Sequence, residues 1–150
     1  MRLTCLQENL SRGLGVVGRA VATRTTLPIT QNVLISTDQS RLKLSATNLE
    51  IAISTWVGAQ IEETGSITIP ARLLTEFVGS LPTEKVDITS SEKSTNLALK
   101  CARFEANING ADAGDFPPIP TVESGLAVKI NPQMLRDAID RRTDLGGLVE

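Results

Sequence analysis

Ile67-Thr68-Ile69-Pro70-Ala71-Arg72-Leu73-Leu74 changes its hydrophobic spacing across one proline. Before Pro70 the apolar residues stand two apart, as in a strand; after it they cluster as on one face of a helix. Proline is accepted in the first turn of a helix, where its missing N–H costs nothing. The same passage from strand through tight turn to helix occurs at Leu3–Leu10 (LTCLQENL) and at Val128–Leu135 (VKINPQML). Three openings of one form point to a repeated unit.

Working outward, the first copy predicts a helix from Gln7 to about Ala22, with Leu6, Leu10, Leu14, Val17 and Val21 in one stripe. Arg12 and Arg19 fall on the opposite side with Glu8 and Gly15, giving an amphipathic helix with a basic outer face. Three β-type runs follow, Asn32–Thr37, Arg41–Thr47 and Glu50–Val57, joined by the polar turns Asp38-Gln39-Ser40 and Thr47-Asn48. Their alternation suits antiparallel strands with one covered face. The second copy repeats the order. Ser66–Ile69 reads as a strand and Pro70 to about Gly79 as a helix with Leu73, Leu74, Phe77 and Val78 in its stripe. Lys85–Thr89, Asn96–Lys100 and Ala102–Ile108 read as three further strands. The fold class is therefore α+β, β-α-β-β-β twice at a period of roughly 60 residues, with helices on one side of antiparallel sheets.

The third copy opens with a strand at Ala127–Ile130, an Asn131 cap and Pro132 at the first helical position, with Met134, Leu135, Ala138 and Ile139 as the apolar stripe. No alternating run follows in Arg141–Glu150. Gly110–Gly125, rich in Gly and Pro, reads as an inter-domain linker. The expected organisation is one domain over residues 1–120, then a linker and the incomplete start of a second over 121–150. The third-copy strand and helix are expected either to be disordered or to dock on a neighbouring chain.

Composition narrows the chemistry. The chain has no histidine and no tyrosine, so the commonest general base, the Ser/His and Cys/His pairs and the commonest metal ligand are all missing. A carboxylate-based enzyme is disfavoured, because Glu62-Glu63 and Asp112/Asp115 sit in turn-like segments and read as solvated surface. The Gly13–Gly18 stretch lacks the Lys-Ser/Thr of a phosphate loop. No cofactor or metal is expected. Cys5 and Cys101 read as buried strand residues in a reducing compartment, and Trp56 as a packing residue. No apolar run reaches the ~18 residues that a membrane helix needs, and no signal peptide is seen, so the expected location is cytoplasmic. The net charge is −2, yet residues 1–24 hold Arg2, Arg12, Arg19 and Arg24 against the single acid Glu8.

Six short segments carry a resemblance. Met1–Thr4, Arg24-Thr25-Thr26-Leu27-Pro28-Ile29, Thr47-Asn48-Leu49-Glu50-Ile51, Ile69-Pro70-Ala71-Arg72, Gly79-Ser80-Leu81-Pro82 and Gly114-Asp115-Phe116-Pro117 occur in the order and spacing of the bacterial β sliding clamp family. The chain resembles that family across residues 1–120. The resemblance implies a DNA-clamp domain of two β-α-β-β-β repeats, three such domains per chain, and two chains closing head to tail into a ring around duplex DNA. It implies a non-catalytic processivity factor in DNA replication, with DNA polymerase III and the clamp loader as partners through domains that lie outside these residues. The peptide-binding pocket of the family also belongs to those domains, so this chain is expected not to bind clamp-binding peptides.

Arg24 and Arg72 match basic DNA-contacting positions of the family. Arg12 and Arg19 join them as candidates from their place opposite the apolar stripe. Scattered cations of this kind meet phosphates without reading bases. For the ring joint the resemblance implies Leu73, Phe77, Arg103 and Phe104. Two departures stand out: Leu73 and Gly79 occupy positions where the family often has a basic residue. A second possibility is a stand-alone protein-interaction module that reuses the fold without DNA.

Overall fold

The computed structural model describes residues 1–145, with side chains through Arg141. The elements run β1 (Arg2–Leu6), α1 (Gln7–Val17), β2 (Asn32–Asp38), β3 (Arg41–Thr47), β4 (Ala52–Glu63), β5 (Ser66–Pro70), α2 (Ala71–Ser80), β6 (Lys85–Ser90), β7 (Asn96–Cys101), β8 (Phe104–Asn109) and α3 (Pro132–Leu145). The β-α-β-β-β order thus appears twice. A shift of 64 residues carries Arg2 onto Ser66 and Gln7 onto Ala71, the starts of the two strands and the two helices. The same shift carries buried Leu3, Leu10 and Leu14 onto buried Ile67, Leu74 and Val78.

All eight strands pair antiparallel in the order β5-β2-β3-β4-β1-β6-β7-β8. The repeats exchange their first strands. β1 pairs with β6 of the second repeat (Leu3 opposite Ile88), and β5 with β2 of the first (Ile67 opposite Ile35). β4 is longer than its sequence pattern suggests because it serves two partners. Ala52–Gly58 pairs with β3, and Ala59–Glu63 with β1. At the far edges, Thr68 of β5 bridges to Ala111 just past β8, with N–H···O distances of 3.0 and 2.9 Å. Gly110 makes that approach possible, since a Cβ there would collide with the carbonyl oxygen of Thr68.

Alternate residues of the strands face one core with the helices. Leu3, Val33, Ile35, Leu42, Leu44, Ile69, Val86, Ile88, Leu97 and Leu99 pack with Leu10, Leu14 and Val17 of α1 and Leu74 and Val78 of α2. Each such side chain contributes roughly 1.5–3 kcal/mol by leaving water. Cys5 and Cys101 are buried free thiols in this core.

The turns explain why some of the quoted segments have the residues they have. Gln39 and Ser40 both take positive φ (45° and 65°) in the two-residue link from β2 to β3, the demand of a type I′ hairpin. Between β3 and β4, Asn48 Oδ1 accepts N–H bonds from Glu50 (3.0 Å) and Ile51 (2.9 Å). The Thr47 hydroxyl donates to Ile51 O at 2.7 Å while Leu49 takes φ 76°.

Several expectations are corrected. The first helix ends at Val17, and Gly18–Ala20 continues as a tighter 3₁₀ turn carrying Arg19. Two nearby glycines and adjacent β-branched valines weaken the α form there. Leu6 belongs to β1 and is half-exposed rather than part of the helical stripe. The last strand begins at Phe104, because Ala102 turns the chain at φ 51°. Ala127–Ile130 forms no strand: it has no ladder to join among the described residues, and unpaired backbone gains nothing by extending.

The start of the expected linker is structured instead of free. Ala111 pairs with Thr68, Asp112 caps a 3₁₀ turn at Ala113–Asp115 through Gly114 N (2.7 Å), and Phe116 is buried. The chain separates into compact units at Met1–Ile119 and from Pro120 onward. In the second unit, α3 is capped as expected, Asn131 Oδ1 accepting from Gln133 N (2.9 Å) and Met134 N (3.2 Å).

Candidate nucleic-acid interface

α1 and α2 lie side by side and run in opposite senses. Buried Gln7, the first residue of α1, donates from Nε2 to Val78 O in the last turn of α2 at 2.8 Å. Their apolar stripes enter the core, which leaves one outward surface shared by both helices.

Arg12 and Arg72 both stand on that surface, and each is paired within its own helix. Arg12 Nη2 lies 3.3 Å from Glu8 Oε1, and Arg72 Nε donates to Glu76 Oε1 at 2.9 Å. Such exposed i,i+4 pairs are worth about 0.3–0.5 kcal/mol, too little to hold either guanidinium against a phosphate. Arg19 and Arg24 are exposed and have no ion-pair partner among the described residues. The Arg24 loop is shaped by threonines. Thr25 Oγ1 accepts from Leu27 N (2.9 Å), and buried Thr30 donates to Leu27 O (2.7 Å).

The residues named for a joint divide. Leu73 (56% exposed) and Phe104 (51% exposed) present apolar surface to solvent, whereas Phe77 is partly buried against the core. Arg103 is exposed in the β7–β8 turn. Cys101, opposite Phe104 in the hairpin, donates weakly from its thiol to Pro82 O at 3.7 Å. This brings the hairpin turn beside the end of α2, one turn beyond Phe77. β8 is an edge strand, with β7 its only partner along Phe104–Asn109 among the described residues.

Trp56 was missed as a surface feature. It lies within β4, 43% exposed, with Nε1 donating to Asp38 Oδ2 at 2.8 Å. Arg41 and Lys43 stand 5.4 and 5.2 Å from its ring centroid. Periodicity marks Trp56 as outward-facing; its polar partners come from the β2–β3 hairpin, which no local pattern reveals.

Two of the acids singled out in the sequence face an arginine. Glu62 and Glu63 lie 3.8 and 3.7 Å from Arg2. Among the described residues no group of three or more His, Cys, Asp or Glu side chains is placed to hold a metal. Burial pushes the Cys5 thiol up to about 12, with Asp87 adding to the rise. Burial likewise raises Cys101, followed by the charges of Glu84 and Asp87. Neither is a ready nucleophile at neutral pH. No helix among the described residues is long and apolar enough to cross a membrane.

The family model described as DNA polymerase III beta subunit, N-terminal domain, matches residues 1–120. The chain belongs to the DNA polymerase III beta subunit family. The beta sliding clamp of Synechococcus elongatus is 34% identical over 141 residues, covering 93% of this chain and 37% of that protein. The beta sliding clamp of Synechocystis is 37% identical over 132 residues, covering 82% of this chain and 33% of that protein. Among solved structures, the DNA polymerase III subunit beta from Pseudomonas aeruginosa superposes with a TM-score of 0.87 at 34% identity, covering 94% of this chain and 38% of that one. The DNA polymerase sliding clamp from Bacillus subtilis gives 0.88 at 27% identity, covering 93% and 38%. The chain therefore spans between a third and two fifths of the length of the sliding clamps it matches.

Proposed function

We propose that this chain is one wall segment of a DNA sliding clamp, the first domain over residues 1–120 followed by the start of a second over 121–150. In the whole protein, two subunits close head to tail around duplex DNA and tether the replicative polymerase without catalysing any step, in the cytoplasm. Polymerase III and the clamp loader are held through domains beyond this one.

The observation that carries the reading is the shared outward surface of α1 and α2 with Arg12 and Arg72 on it, flanked by Arg19 and Arg24. A ring that slides must attract phosphates without gripping bases. Long, solvated cations on a rigid helical surface do this, and their attraction is independent of sequence. On the other flank of the domain, Leu73, Phe77, Arg103 and Phe104 with the β8 edge form the joint for the partner subunit. Exposed apolar residues beside an open strand edge suit strand addition supported by side-chain packing.

A titration of duplex DNA against the chain, repeated across salt concentrations and on two unrelated sequences, tests the reading. Weak binding that falls steeply with salt and is equal for both sequences is the expected result. Sequence preference, or binding indifferent to salt, overturns it.

A further inference from the structure

The two helices carry the same ion pair at the same positions with the charges exchanged. The shift that superposes Gln7 on Ala71 carries Glu8 onto Arg72 and Arg12 onto Glu76. Because the helices are antiparallel, this exchange decides where each charge lies. At 1.5 Å per residue, Arg12 stands roughly 8 Å and Arg72 roughly 9 Å from the level of the Gln7–Val78 contact. Glu8 and Glu76 stand only roughly 2 and 3 Å from it. An identical pair in both repeats would have set the cations diagonally; the exchange sets them in a row. Arg19 follows α1 at the same end, in the 3₁₀ turn Gly18–Ala20. At the opposite end, Glu84 and Lys85 are adjacent and offset each other.

We propose that Glu8 and Glu76 form an electrostatic fence that confines a DNA duplex to the Arg12–Arg72 end of the helical surface. This rests on the DNA-facing reading above. The acids have two effects on a passing phosphate chain: they repel it from their own end, and they compete with it for Arg12 and Arg72. The duplex is held off-centre and lightly, which favours movement along it over arrest.

Gly15 and Gly79 supply matched probes. They are counterparts under the same shift, both exposed, and a Cβ at either meets nothing within 4 Å. Gly15 lies toward the cationic end and Gly79 toward the acidic end. The native Cys5 and Cys101 are buried, so a photo-crosslinker on Gly15→Cys or Gly79→Cys reports one site.

With duplex DNA at about 0.1 M salt, where the Debye length of about 10 Å is shorter than the roughly 14 Å between the two probe levels, the crosslink yield from Gly15→Cys is expected to exceed that from Gly79→Cys by about tenfold. In the Glu8→Gln/Glu76→Gln background the two yields should converge and affinity rise about threefold. Equal yields in the parent, or an unchanged ratio in the double variant, overturn the fence while leaving the DNA-facing surface standing. No crosslink from either probe in either background overturns both.

Discussion

Gly13 of α1 rests against Val57 of β4 so closely that a Cβ on Gly13 would lie 2.9 Å from Val57 Cγ2 and 3.0 Å from Leu44 Cδ1. α1 therefore packs on the β3–β4 surface through its backbone. Gly13→Ala gains about 1 kcal/mol in helix propensity and loses about 1–3 kcal/mol to overpacking. A net loss is expected, whereas Gly15→Ala, with open space around it, should gain up to ~1 kcal/mol. Denaturant midpoints compare the two, and equal gains would show that the contact yields easily.

Gln7 ties the head of α1 to the tail of α2 through Val78 O, and its neighbour bond from Gln7 N to Glu84 O (2.9 Å) fixes the start of β6. Gln7→Ala removes a buried hydrogen bond and leaves a gap, for an expected loss of about 1–2 kcal/mol. The companion Gln7→Glu should lose more at neutral pH, because a carboxylate cannot donate to that carbonyl. Urea unfolding at pH 7 measures both.

Arg24 is expected to act on DNA and not on folding. Arg24→Ala should leave the thermal midpoint unchanged and lower the slope of log affinity against log salt by about 1, for all sequences alike. A change in sequence preference would instead assign Arg24 a base-reading role.

The proposed joint separates stability from association. Leu73→Ser and Phe104→Ser are expected to shift unfolding by less than ~0.5 kcal/mol, as exposed substitutions do. Phe77→Ala should cost about 2 kcal/mol, since Phe77 packs on the core. Sedimentation at rising concentration should show less self-association for the two serine variants than for the parent.

Alkaline pH should destabilise the fold through its thiols. The Cys5 pKa is raised from 9.0 to about 12 and that of Cys101 is raised as well. Thus the unfolded chain loses these protons first. Stability held below pH ~8.5 is lost as pH rises toward the folded value, at up to ~1.4 kcal/mol per pH unit for each thiol. Cys5→Ala/Cys101→Ala should flatten the dependence of the unfolding midpoint between pH 8.5 and 11.

The repeat was legible because Leu42/Leu44 and Leu10/Leu14 obey different periods, and because Pro70 marks the change from one to the other. Pairing was less legible. Nothing local says that Leu3 faces Ile88 or that Ile67 faces Ile35, since alternation reports a covered side and not the strand beside it. β4 looked complete at Val57 because Gly58 interrupts its pattern where it passes from β3 to β1. For the candidate surface, the outward side of Arg12 and Arg19 followed from helical spacing, whereas Arg24 and Arg72 were marked only by the family resemblance. The relative levels of Arg12 and Arg72 needed the contact between Gln7 and Val78, which only the folded chain displays.

The exchange of first strands also orders events during synthesis. β1 leaves the ribosome first, yet the Met1 amine finds its acceptor, Ser90 O, 89 residues later. Until then only the tail of β4 is available to it, and the sheet between the halves stays open on its other side. Local hairpins such as β2–β3 and β7–β8 cost little loop entropy and form early. The seam through β1 closes only after the local hairpins of the first repeat have formed. A nascent chain paused before β6 would thus present the unpaired edge of β1 to whatever neighbour shares its polysome.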